Sequence, residues 1–103
     1  MTAKRKTKPV HPGCILHDEF MEPAGISRYR LAQATGLSLV QVGNIVRGRR
    51  RITAETALRF ERALGMSAQT WMSLQTLYDL EMASLKAGNR IKQTTERINM
   101  RTA

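Results

Sequence analysis

The chain has one cysteine, Cys14, in 103 residues, so it cannot form an internal disulfide or hold a metal in a thiolate cluster. It is also poor in acid. Eight Asp and Glu stand against 17 Lys and Arg, a net charge of +9 that predicts a polyanionic partner without separating DNA from RNA or a membrane surface. No apolar run approaches the roughly 18 residues of a membrane span, and no hydrophobic run of the signal-peptide kind follows the basic start. A cytoplasmic protein that does not enter the membrane is therefore expected. Only two histidines are present, and no Ser-His-Asp set, carboxylate pair or metal constellation can be assembled around them. The sequence thus predicts neither an enzyme nor a cofactor. With 42% hydrophobic and 5% aromatic residues, it has material for one domain with a small core.

What the chain does have is concentrated between Arg28 and Arg47, RYRLAQATGLSLVQVGNIVR. Leu31, Ala32 and Thr35 share one helical stripe; Val42, Ile45 and Val46 share the next. Gly36 stands where the first helix must end in a left-handed residue. Ser38 then opens the second helix as its N-cap, with Gln41 completing a capping box. Ala32 is small enough for two helices to cross closely. This layout is that of a helix-turn-helix, whose second helix enters the major groove of DNA. From Ser27 to Arg51 there are six arginines (Arg28, Arg30, Arg47, Arg49, Arg50 and Arg51) and no acid. Gln41 and Asn44 carry amides that can pair with base edges. The Arg49-Arg50-Arg51 run, in a loop after Gly48, is placed to grip phosphates.

Residues 1–10, MTAKRKTKPV, read as a disordered basic arm, and residues 11–88 as the helix-turn-helix domain with a C-terminal dimerisation helix. Pro12 opens a first helix to about Met21 that buries Ile15, Leu16 and Phe20, with Pro23 and Gly25 ending it. His11, Cys14 and His17 lack a fourth ligand at a sensible spacing, so a small buried thiol and two surface imidazoles are expected. Thr53 caps a helix over 54–64 whose stripe is Ala57, Phe60 and Leu64, and Gly65 stops it. Ser67 caps a last helix over 68–87, closed by Gly88. Trp71, Leu74, Tyr78, Met82 and Leu85 form its apolar face. Met72, Leu77, Leu80 and Ala83 fall outside that face and predict a homodimer interface at Met72, Leu77 and Leu80. Residues 89–103 read as a basic tail.

Several runs carry a family resemblance: HPG at 11–13, EFMEPAGIS at 19–27, RYRLAQATGLS, IVRGRRRITAETALR at 45–59, and WMSLQTLYDL at 71–80. Over residues 11 to about 82 the chain resembles the HigA antitoxins of the XRE-type helix-turn-helix group. The resemblance implies a five-helix all-α domain, similar to the lambda repressor, that dimerises through its C-terminal region. It implies binding to an inverted-repeat operator in double-stranded DNA at its own promoter. It also implies neutralisation of a HigB-type toxin, an mRNA-cleaving ribonuclease. A plain XRE-family transcriptional regulator with no toxin partner is the alternative. Carried over by position, the base-reading residues fall on Leu39, Val40, Gln41 and Asn44. The phosphate contacts fall on Ser27, Arg28 and Ser38 and on the region of Arg47, Arg49, Arg50 and Arg51. Leu39 and Val40 are apolar where related repressors often carry amides, which shifts readout toward thymine methyl groups. Gly43 lies inside the recognition helix, where glycine costs about 1 kcal/mol relative to alanine.

Overall fold

Helix starts fall where the capping residues place them. Ser27, Ser38, Thr53 and Ser67 each accept a hydrogen bond from the backbone N–H three residues on, a contact that stabilises a helix by about 1 kcal/mol. In the computed structural model, which describes residues 8–101, five helices result and no strand occurs among the described residues. Helix α2 is Arg28–Thr35, α3 is Leu39–Val46, α4 is Ala54–Leu64 and α5 is Ala68–Thr94. Helix α1 is built of three contiguous pieces, Pro12–Ile15, a wider π-helical Leu16–Met21, and Glu22–Ala24. The all-α, five-helix expectation holds.

Helix α1 departs from the sequence expectation at several points. It runs past Met21 to Ala24 and carries Pro23 in its last turn, with Gly25 alone as the left-handed stop. In an unbroken α-helix the Pro23 ring would clash with the carbonyl of Glu19, and the widened π turn lies directly before it. That turn places Leu16 and Met21 together in the core. The expected roles of the thiol and one imidazole are reversed. Cys14 is exposed, whereas His11 is buried and serves as the N-cap, its Nδ1 accepting from the Gly13 N–H at 2.9 Å. His17 is on the surface, as expected. Gly13 explains the third letter of HPG. A Cβ there would overlap the Ile45 carbonyl oxygen, so only glycine lets α1 lie this close to α3.

The core centres on Trp71, fully buried between Phe60 (ring centroids 5.3 Å apart, edge-on) and Phe20 (5.4 Å, tilted). Leu16, Met21, Leu31, Ala32, Val42, Ile45, Ile52 and Ala57 complete its buried cluster. All three residues of the α2 stripe are buried, as are Val42 and Ile45 of α3 and Ala57 and Phe60 of α4. Helix α5 differs from its expected pattern. Its buried positions are Trp71 and a polar residue, Gln75, while Leu85 from the expected apolar face is 71% exposed. Gly88 does not close it either, and the helix continues to Thr94, so part of the expected tail is helical. At 27 residues it is about 40 Å long, and its C-terminal half outruns the domain. Residues 95–101 have no regular structure. The basic arm expected at 1–10 lies outside the described residues up to position 7, as do positions 102 and 103.

Two glycines should respond oppositely to alanine. Gly13→Ala should destabilise the domain by about 1–3 kcal/mol, because the methyl must push α1 off α3. Gly88→Ala meets only Ser84 Oγ, at 3.6 Å, and should stabilise by up to about 1 kcal/mol through helix propensity. Urea denaturation of the two variants checks both, and equal shifts would refute the close α1–α3 seat.

Candidate nucleic-acid interface

The turn between α2 and α3 is held from three directions. Gly36 takes a left-handed φ of 77° and its N–H bonds the Ala32 carbonyl. Arg59 of α4 donates to the Thr35 carbonyl at 2.7 Å, capping the end of α2 while Glu55 holds the same guanidinium at 2.9 Å. At the other side the capping box is complete. The Gln41 N–H donates to Ser38 Oγ and the Ser38 N–H donates to Gln41 Oε1, both at 3.0 Å. Helix α3 therefore starts rigidly, with its first N–H groups and the positive end of its dipole at the surface.

What α3 presents there is mostly apolar. Leu39 is 51% and Val40 is 70% exposed, and with Arg28, Gly43 and Arg47 they line one open hollow. Four of the expected contact residues, Arg28, Leu39, Val40 and Arg47, are thus brought together. Arg47 lies back over Gly43, where an added Cβ would be 3.1 Å from its Nη1. Asn44 and Gln41, on the same helix, do not line this hollow; both are half-buried, and the Gln41 carbonyl oxygen is held by the capping box. Exposed Tyr29, between Arg28 and Arg30, was not singled out by sequence reasoning; a lone surface aromatic carries no periodic signal.

The arginine loop divides. Arg49 and Arg50 are exposed. Arg51, counted above with the phosphate contacts, instead donates to Asp79 Oδ2 of α5 at 2.6 Å. Gln75 orients that acid, its Nε2 donating to Asp79 Oδ1 at 3.0 Å while its Oε1 accepts from the Ile52 N–H at 2.7 Å. Burial works to raise the Asp79 pKa, but the hydrogen bonds from Arg51 and Gln75 and the Arg51 charge outweigh it, and the carboxyl is held below its ordinary value. His11 packs edge-on against Tyr78 at 4.9 Å and lies beside Gly48, where an added Cβ would be 3.5 Å from its ring. Burial pushes the His11 pKa below 6.5, against the opposing pull of Asp79 and the Arg50 backbone. The start of α1, the arginine loop and α5 thus meet at one imidazole.

The three metal-ligating candidates considered in the sequence do not share an environment: His11 is inside, Cys14 and His17 outside. His17 pairs with Asp18 at 2.9 Å, with Glu22 near by, all three exposed. On α5 the expected interface residues line one open face, Met72 half-buried and Leu77 and Leu80 54% and 64% exposed, together with Gln69, Ser73 and Thr76.

The buried imidazole makes stability depend on pH. Its folded pKa lies below the unfolded value, so the unfolded chain takes the proton first as pH falls through about 6.5. Stability should therefore drop from there down to the lowered folded value. Asparagine also caps helices and does not titrate, so His11→Asn should lose less stability than the native chain between about pH 7.5 and about pH 5.5. Equal losses in chemical denaturation would exclude His11 as the source.

The comparisons agree with this geometry. A helix-turn-helix family model matches residues 19–71. The chain is 46% identical over 80 residues to virulence-associated protein I of Dichelobacter nodosus, covering 78% of this chain and 74% of that protein. It is 38% identical over 77 residues to antitoxin HigA-1 of Vibrio cholerae, covering 75% and 72% respectively. The solved structure of Pseudomonas aeruginosa antitoxin HigA with the higBA promoter matches with a TM-score of 0.86 and 41% identity, over 89% of this chain and 100% of that one. The capped turn, the arginine-rimmed α3 and relatives that align across three-quarters of the sequence lead to one assignment: the chain belongs to the helix-turn-helix family of HigA-type antitoxins.

Proposed function

We propose that the chain is a DNA-binding antitoxin rather than an enzyme. In this reading it acts in the cytoplasm, represses its own operon from an inverted-repeat operator, and neutralises a HigB-type mRNA-cleaving toxin. The carrying observation is the α3 start, an exposed helix N-terminus with Leu39 and Val40 between Arg28 and Arg47 and no acid from Ser27 to Arg51. Asn44 reads a base edge in this reading, and Ser27, Arg28, Ser38, Arg47, Arg49 and Arg50 hold phosphates. Arg51 stiffens the loop through Asp79 instead. The toxin half rests on family membership and on the likeness to HigA structures. It is tested by growth. Expression of the small basic ribonuclease-like frame expected beside this one should arrest cells, and co-expression of this chain should restore them. Operator binding without rescue would leave a plain regulator.

The two kinds of DNA contact separate experimentally. Asn44→Ala should weaken operator binding by roughly 1–3 kcal/mol and leave random-sequence binding nearly intact, because it removes a base contact and no charge. Arg49→Ala and Arg50→Ala should weaken binding to all DNA and each reduce the slope of log K against log salt by about 0.9. Arg51→Ala should leave that slope unchanged. Titrations at several salt concentrations measure all four, and a slope change for Arg51 equal to its neighbours' would return it to the phosphate contacts.

The homodimer is proposed on the face of α5 that carries Met72, Leu77 and Leu80. Exposed leucines there gain about 25 cal/mol per Å² on burial, and a two-fold axis sets two α3 helices about 34 Å apart, one DNA turn. Leu80→Asp should yield a folded monomer with weak operator binding. A monomeric native chain in sedimentation, still binding operator tightly, would overturn the interface.

A further inference from the structure

We infer that the first turn of α3 reads thymine by its methyl group, through an apolar hollow made by Leu39, Val40 and the bare backbone of Gly43 between the side chains of Arg28 and Arg47. The inference rests on the DNA-binding reading above and names what that surface recognises. In the major groove thymine alone among the four bases presents a methyl group, and apolar contact is how a protein detects it. Leu39 and Val40 have no polar atom with which to read any other edge, yet they stand in water at the end of the helix that enters the groove. Gly43 lies four residues after Leu39 and three after Val40, on the same side of the helix, and is itself buried beneath Arg47. Its missing side chain keeps the hollow open.

The neighbouring amide points the same way. A glutamine reads adenine by using its oxygen and its nitrogen together. Gln41 Oε1 instead accepts from the Ser38 N–H at 3.0 Å, which draws the amide back along the start of α3. Readout at this turn is thereby left to Leu39 and Val40, while Arg28 and Arg47 supply cationic flanks suited to the phosphates on either side. A protein partner for the same leucine and valine is disfavoured by those two arginines and by the absence of acid from Ser27 to Arg51.

The test begins with selection of a randomised duplex pool by the full chain, which should enrich an inverted repeat containing thymines in each half-site. The enriched duplex is then remade with deoxyuridine at those thymines, a change that removes the methyl and nothing else. Native protein should bind about four-fold more weakly for each contacted methyl removed, the equivalent of about 0.8 kcal/mol for one buried CH₂-sized group. The double variant Leu39→Ala, Val40→Ala should bind the thymine and uracil duplexes alike. Gly43→Ala, whose added methyl meets only the movable end of Arg47, should keep its thermal midpoint or raise it while losing thymine preference. Equal binding of both duplexes by native protein would overturn methyl reading and leave operator recognition standing. Enrichment of no sequence at all would overturn the DNA-reading function itself.

Discussion

The position of the arginine loop depends on one buried amide. Gln75 is 1% exposed on α5, and its Oε1 takes the Ile52 N–H at 2.7 Å. That N–H belongs to the segment between α3 and α4 and has no helix or strand to satisfy it. Left unpaired in the core, it would cost roughly 1–3 kcal/mol. The same amide turns its nitrogen to Asp79, which then fixes Arg51. A single side chain thus satisfies a loop donor, aims a carboxylate and sets where the arginine loop leaves the body. Burial of Ile52 in the core cluster that holds Trp71 supplies most of the burial energy, but it lacks direction. The amide supplies the direction.

Charge is distributed to the same end. Glu55 pairs with Arg59 at 2.9 Å, and Arg59 caps α2. Asp79 pairs with Arg51. Both pairs are partly exposed and contribute little net stability as ion pairs, yet each positions a backbone segment of the helix-turn-helix. Arg28, Arg47, Arg49 and Arg50 make no ion pair among the described residues and are all exposed, Arg28 and Arg47 on the same hollow. Unpaired cations repel one another and cost stability in the free protein, a penalty that association with a polyanion removes.

How far could the sequence be read? Most of what local rules carry was legible: the hydroxyl caps Ser38, Thr53 and Ser67, the left-handed Gly36, the capping box of Ser38 and Gln41, and the buried stripes of α2, α3 and α4. These depend on residues three or four apart. What was not legible depends on contacts between distant segments. Gln75 is polar and so was left out of a stripe drawn by hydropathy, although its partner lies 23 residues away at Ile52. His11 looked like a surface imidazole until Tyr78 and Asp79 of α5 closed over it. Gly88 resembled a stop signal, but no left-handed turn was required there and the helix ran on. The candidate site divided in the same way. Arg28, Leu39, Val40 and Arg47 came together as their helical spacing demanded, while Arg51 was claimed by an acid on another helix.

The recognition helix shows the remaining conflict between stability and use. Gly43 weakens α3 by about 1 kcal/mol relative to alanine, and Leu39 and Val40 leave apolar surface in water. A helix selected only to be stable would avoid all three choices. The domain tolerates them because α3 is held by its neighbours, with Val42 and Ile45 buried beneath it, Gly13 seated on its last turn and both ends tied by Ser38 and Gly48. Rigidity comes from the scaffold, so the exposed face is free to be shaped for its ligand. Such an arrangement makes the ordering cost a property of folding rather than of binding, and a pre-ordered helix keeps more of its contact energy as affinity.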